Sequence, residues 1–269
     1  MVAAEQVAVR PATPGWLVVL EQELRDLWLG GRGLLLCLAY SLLLSLIAYL
    51  VASTTDLNFL EQRDSVNLTL QVAIAVGPLL TMLAAADSVS GERERGTLEH
   101  LLLTPVSRLE LTVGKLLAAL SLWFAAFAIT VPYVWYLGRG VGVADDALAS
   151  GFVVGTLLTL FVASLGLIIS LFVTSNRVGL SLSLFLLLAL YAPTQLPAGA
   201  QRGWFGEFLL RVNPLTAGEH YIGLLLRDAQ SWSDDVSWLA SPLIAAVVFT
   251  AAAVVLGARF IRLPGGLAR

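Results

Sequence analysis

Glu92, Arg93, Glu94 and Arg95 form a cluster of alternating charge, followed by Gly96, Thr97 and the leucines Leu98, Leu101 and Leu102, and closed by Pro105. The spacing predicts a short helix over 97–103. Gly96 breaks the chain, Thr97 can cap the helix, the three leucines share one side, and Pro105 stops it. Ser107 and Glu110 then form a capping box for the helix that follows. A helix this short is not stable alone. Its leucines must be covered by lipid, by the protein's own helix ends or by a soluble partner, and composition leaves all three open. On the bland reading the leucines only seal the end of a bundle and the arginines only obey the charge bias of membrane proteins.

Bond-making chemistry is missing. Gly114-Lys115 is followed by leucine and has no upstream phosphate-loop glycine, so it reads as the end of a span and the chain has no recognisable means of binding ATP. His100 and His220 are the only histidines. They form no metal-binding spacing, and Glu219-His220 reads as a solvated interfacial pair. No serine elbow of the hydrolase kind occurs. Cys37 is the single cysteine and sits in an apolar run, where it reads as a packing residue.

The elements that must carry these residues are membrane helices. Of 269 residues, 58% are hydrophobic and 13% charged. A soluble domain carries roughly 25% charged residues, so too little charge remains here to clothe a water-facing surface. Six apolar runs, at 33–53, 68–86, 111–137, 148–174, 178–196 and 238–261, are each long enough to span a bilayer. The expected fold is an all-α integral membrane protein, a bundle of six transmembrane helices. Residues 1–32 form an N-terminal segment and 33–269 a single transmembrane domain. Most of the 16 basic residues fall on one side if both termini are cytoplasmic, whereas the opposite segments gather acids. The net charge of −3 gives no hint of nucleic-acid binding.

Two flanking elements are expected to be amphipathic. Thr13-Pro14 reads as a cap with proline opening a helix. Trp16, Leu17, Leu20, Leu24, Leu27 and Trp28 then share one face, with Glu21, Glu23 and Asp26 off it, as in a helix lying along the membrane interface. The segment 197–237 predicts two short amphipathic helices on the outside, either dipping into the interface or forming a cap clear of lipid. The spans offer hydroxyls, Gln71, Gln195 and the aromatics Tyr40, Trp123, Tyr133, Tyr136 and Tyr191, but few charges. That argues against proton relays and charge-lined channels. Three classes stay open on the residues alone: a permease driven by a separate ATPase, a membrane-embedded enzyme or assembly factor, and a secondary transporter.

The run from Glu92 to Arg108, with Gly114-Lys115 after it, resembles the signature of ABC type-2 exporter permeases. Residues 20–27 (LEQELRDL) resemble their N-terminal elbow helix, and Asn213-Pro214-Leu215 the motif after their fifth span. Size and motif are most similar to the gliding-motility and nitrous-oxide-reductase-maturation permeases. The resemblance implies an elbow helix carrying Trp16, Leu20, Leu24 and Trp28. It implies a coupling helix at 97–103 that docks in a groove of a separate nucleotide-binding ATPase, with Leu98, Leu101 and Leu102 as anchors. Glu92, Arg93, Glu94 and Arg95 would contact the ATPase or hold the elbow helix, and Asn176 and Arg177 would supply a second contact. ATP and magnesium would sit on that partner. A second permease copy or paralogue would complete the pathway, with Trp123, Tyr133 and Tyr136 as candidate lining.

Overall fold

The computed structural model describes residues 14–53, 59–98, 103, 106–195, 203–228 and 231–261. Among them the secondary structure is helical throughout: α1 (Gly15–Leu24), a π-turn (Arg25–Leu29), α2 (Arg32–Ala52), α3 (Phe59–Arg95), α4 (Arg108–Gly138), α5 (Ala144–Phe172), α6 (Asn176–Tyr191), α7 (Trp204–Val212), α8 (Pro214–Leu226) and α9 (Ala240–Phe260). The helices α2, α3, α4, α5, α6 and α9 are long and apolar enough to cross a membrane. The chain is therefore the multi-span helical membrane protein that its composition requires.

Length is where expectation and structure part. Span two was expected to end near residue 86, yet α3 runs 37 residues to Arg95. That is ~55 Å of helix, against a hydrocarbon core of ~30 Å. The charge cluster 92–95 is consequently the last turn of a span and not the front of a loop. Gly96, at φ +73°, ends it. The Thr97 amide donates to the Glu92 carbonyl at 3.0 Å and the Gly96 amide to the Arg93 carbonyl at 3.3 Å, the paired bonds of a left-handed glycine cap. Thr97 also turns its hydroxyl back onto the Glu92 carbonyl. It completes this cap and stands directly before Leu98, where helix begins again.

Proline sits inside α3 at Pro78. With no amide hydrogen, Pro78 leaves the Ile74 carbonyl without its helical donor. The Tyr191 hydroxyl, from the end of α6, donates to that carbonyl at 3.1 Å.

The core is built on α3, α4 and α5. Trp123 of α4 is 1% exposed. Its ring lies where side chains at Gly77 and Gly155 would stand, at 2.8 and 2.2 Å from a Cβ built on each. Its indole nitrogen donates to the Thr156 hydroxyl at 3.0 Å. Two small residues on neighbouring spans thus make the slot that a large aromatic fills.

The 197–237 segment divides. Both short helices form, but they differ in partner. In α8, Leu215, Tyr221, Ile222 and Leu226 join the main core beside Val154 and Leu158. Asn213 caps it, accepting from the Leu215 amide, with Pro214 in the first turn. In α7, Trp204, Phe205, Phe208 and Val212 stay exposed, an apolar face turned outward.

Candidate functional site

One end of the bundle gathers the charges. The Lys115 ammonium, on the second turn of α4, is 2% exposed. It lies 2.5 Å from Glu23 Oε1 of α1 and 2.5 Å from Glu92 Oε1 of α3. It also donates to the Ser88 carbonyl at 2.9 Å. Burying an ammonium is costly unless it is paired and hydrogen-bonded, and here all three of its hydrogens find oxygen. Glu23, expected off the packed face of its helix, is therefore turned inward. The other α1 contacts agree with this phase. Val19 packs where a Gly114 side chain would stand, Trp28 donates to the Ser121 hydroxyl at 3.0 Å, and Leu17 is left facing outward.

The start of α1 is held from a distance. Pro14 occupies the cap position itself, and Thr13 lies outside the described residues. The Gly15 amide donates to Glu110 Oε1 at 2.9 Å. The other oxygen of Glu110 accepts from the Ser107 amide at 2.9 Å and completes the capping box of α4. One carboxylate thereby serves two helix N-termini, where unpaired amides favour negative charge.

The remaining residues of the 92–95 cluster reach α5 and α6. Arg93 donates to the Val173 and Leu171 carbonyls at the end of α5, at 2.5 and 3.3 Å. Those carbonyls lack helical donors, and a guanidinium suits them. Glu94 accepts from the Asn176 amide at 2.7 Å, and so caps α6, whose Ser175 makes no side-chain cap. The Asn176 side chain donates to Asp87 at 2.6 Å. Arg32 and Arg95 approach the same Asp87 at 2.9 and 3.7 Å. Arg177 opens α6 beside Asn176.

Of the expected coupling residues, Glu92, Arg93, Glu94, Arg95 and Asn176 are thus brought into one network, with Gly96 and Thr97 as the cap that ends it. Leu98 does not face outward. It is 2% exposed and packs with Val89, Leu116 and Leu167, so it ties the segment to the bundle and presents no free anchor. Leu103 is 80% exposed. Leu101, Leu102 and Pro105 lie outside the described residues. Trp16, Leu20, Leu24 and Trp28 are each partly buried along α1 and its π-turn. The three aromatics do not share a surface. Trp123 is the core slot described above, Tyr133 shares a hydrogen bond with Ser45 of α2 at 2.7 Å, and Tyr136 is exposed beneath the Arg139 guanidinium.

Sequence reasoning gave Glu23, Asp87 and Lys115 no place among the site residues. Their partners lie on other elements, so no local pattern could reveal them.

Six helices long and apolar enough to cross a membrane, with an ionic hub joining the ends of several of them, define a multi-pass membrane protein, and among the described residues no metal-ligating cluster occurs. The chain belongs to the ABC-2 transporter family, whose ABC-2 family transporter protein model matches residues 17–262. It is a transporter's membrane component, not an enzyme by itself. No curated protein matches the chain.

Proposed function

We propose that this chain is the permease half of an ATP-driven exporter. A separate ATPase, binding ATP and magnesium, docks on the end of the bundle that carries residues 92–103 and the turn at 175–177. That end, with both termini, is cytoplasmic. The permease works as a pair with a second copy or a paralogue, and the pathway lies between them.

The observation that carries this reading is the network itself. The last turn of α3 is bonded to α1 through Lys115, to the end of α5 through Arg93, and to the start of α6 through Glu94. A push on the 92–103 segment is therefore delivered to four helices together, as mechanical coupling to an ATPase requires. An exposed Arg95 and an exposed Leu103 give a partner both ionic and apolar purchase.

Affinity purification of the tagged chain in mild detergent tests this. The expected result is a nucleotide-binding subunit that copurifies with wild type and is lost with Leu101→Asp/Leu102→Asp, while the variant stays folded in the membrane. Full retention by the variant overturns the assignment of this segment. Absence of an ATPase across several detergents overturns the permease-with-partner reading.

A further inference from the structure

Between α1, α2, α3, α4 and α6 the structure holds a cleft of about 430 Å³. Leu27, Leu35, Leu36, Leu83, Ala84 and Leu180 make its apolar walls. All but Leu27 lie within helices long and apolar enough to cross a membrane, next to the charged ends of those helices. Its rim is the ionic end of the bundle. The cleft is amphipathic along its length, charged where the spans end and greasy below.

The charges on that rim are separated by sign. At one end Arg32 and Arg95 share the single carboxylate of Asp87, which among the described residues leaves one positive charge in excess and several guanidinium hydrogens uncommitted. At the other end Glu23 and Glu92 share the single ammonium of Lys115. Glu92 Oε2 has no hydrogen-bond partner among the described residues. Asp26, one helical turn beyond Glu23 in sequence, adds a further carboxylate to the lining. That end is negative. An anion alone would be held at the arginines but repelled by the carboxylates, and a cation alone the reverse. A head carrying a phosphate and an ammonium a few bonds apart satisfies both ends, since guanidinium forks suit phosphate oxygens and an ammonium offers three donors to carboxylates.

We infer that this cleft binds a glycerophospholipid with a primary-amine head, its phosphate on Arg32 and Arg95, its ammonium toward Asp26 and Glu23, and an acyl chain along the leucine walls. A bound lipid of this kind fills the gap between α2 and α3 and stabilises the seat of the first span against the hub. The inference does not depend on an ATPase partner.

Native mass spectrometry of the full chain, released from mild detergent with equal amounts of dioleoyl phosphatidylethanolamine and dioleoyl phosphatidylglycerol, provides the test. Wild type is expected to retain the ethanolamine lipid about tenfold over the glycerol lipid, the size of effect that two or three partly exposed ion pairs produce. Arg32→Gln/Arg95→Gln should lose the adduct, and Asp26→Asn should narrow the preference. Equal retention of the two lipids by wild type, or a preference for the glycerol head, overturns the proposal and needs no variant to fold. So does displacement of the lipid by inorganic phosphate, which would mark the arginines as an anion site alone.

Discussion

Glu92 and Lys115, on successive spans, meet at 2.5 Å where the lysine is almost wholly shielded from water. The same ammonium holds Glu23 at the same distance, so the lysine is the middle of a chain of three charges linking α1, α4 and α3.

Removing the lysine alone should therefore be severe. Lys115→Met leaves two carboxylates facing each other in a poorly hydrated site and is expected to cost about 3 kcal/mol, in the range for breaking a buried pair from one side. Thermal unfolding in detergent measures it. The triple variant Lys115→Met/Glu23→Gln/Glu92→Gln should recover most of the loss, because no charge is then left uncompensated. A triple variant no better than the single one would mean that the ionic contacts are not what holds α1.

The Trp123 slot makes a steric prediction. A methyl group at residue 155 would stand 2.2 Å from the indole, and Gly155→Ala is expected to destabilise by about 2 kcal/mol through overpacking. Adding Trp123→Leu should return part of that stability, since the smaller side chain vacates the contested space. Additive losses in a double-mutant cycle would contradict this geometry.

Glu219, on α8, lines a second cavity with Gln71, Thr216, His220, Arg227 and Asp228. Burial pushes its carboxyl up to about 7. Between the ordinary glutamate range and that value the folded chain keeps a proton that the unfolded chain has released, so stability falls as pH rises across the interval. Melting temperatures between pH 5 and pH 8 should decline for this reason in wild type, and Glu219→Gln should flatten the decline. An unchanged slope in the variant would assign the dependence to another group.

Tyr191→Phe deletes the donor that reaches the Ile74 carbonyl beside Pro78. A buried carbonyl left without a donor costs roughly 1 kcal/mol. Replacing the proline as well, in Pro78→Ala/Tyr191→Phe, restores a backbone amide and should cancel the loss. Hydrogen exchange around residues 74–78 would report whether the helix closes.

What could be read from the residues in order was what depends on neighbours in order. Each expected span has its helix, because an apolar run must satisfy its backbone internally. The Ser107–Glu110 box formed because its partners are three residues apart. Gly96 breaks the chain as expected, but what it ends is α3 and not a loop. The charges 87–95 looked too polar for a span, yet helix continues through them because Asp87, Glu92, Arg93 and Glu94 all find partners on other elements. The second role of Glu110, at Gly15, lies 95 residues away in sequence. The inward turn of Glu23 depends on a lysine 92 residues distant. Long-range pairings of that sort leave no periodicity behind, and Leu98 shows the same limit from the apolar side. Its spacing marks an amphipathic face but not which body that face will meet.

The proline in α3 has a mechanical consequence. The missing amide at Pro78 frees the Ile74 carbonyl from the ladder of α3, and the Tyr191 hydroxyl takes it up. A bond that would have run along one helix is turned sideways, and the middle of α3 is pinned to the end of the fifth span.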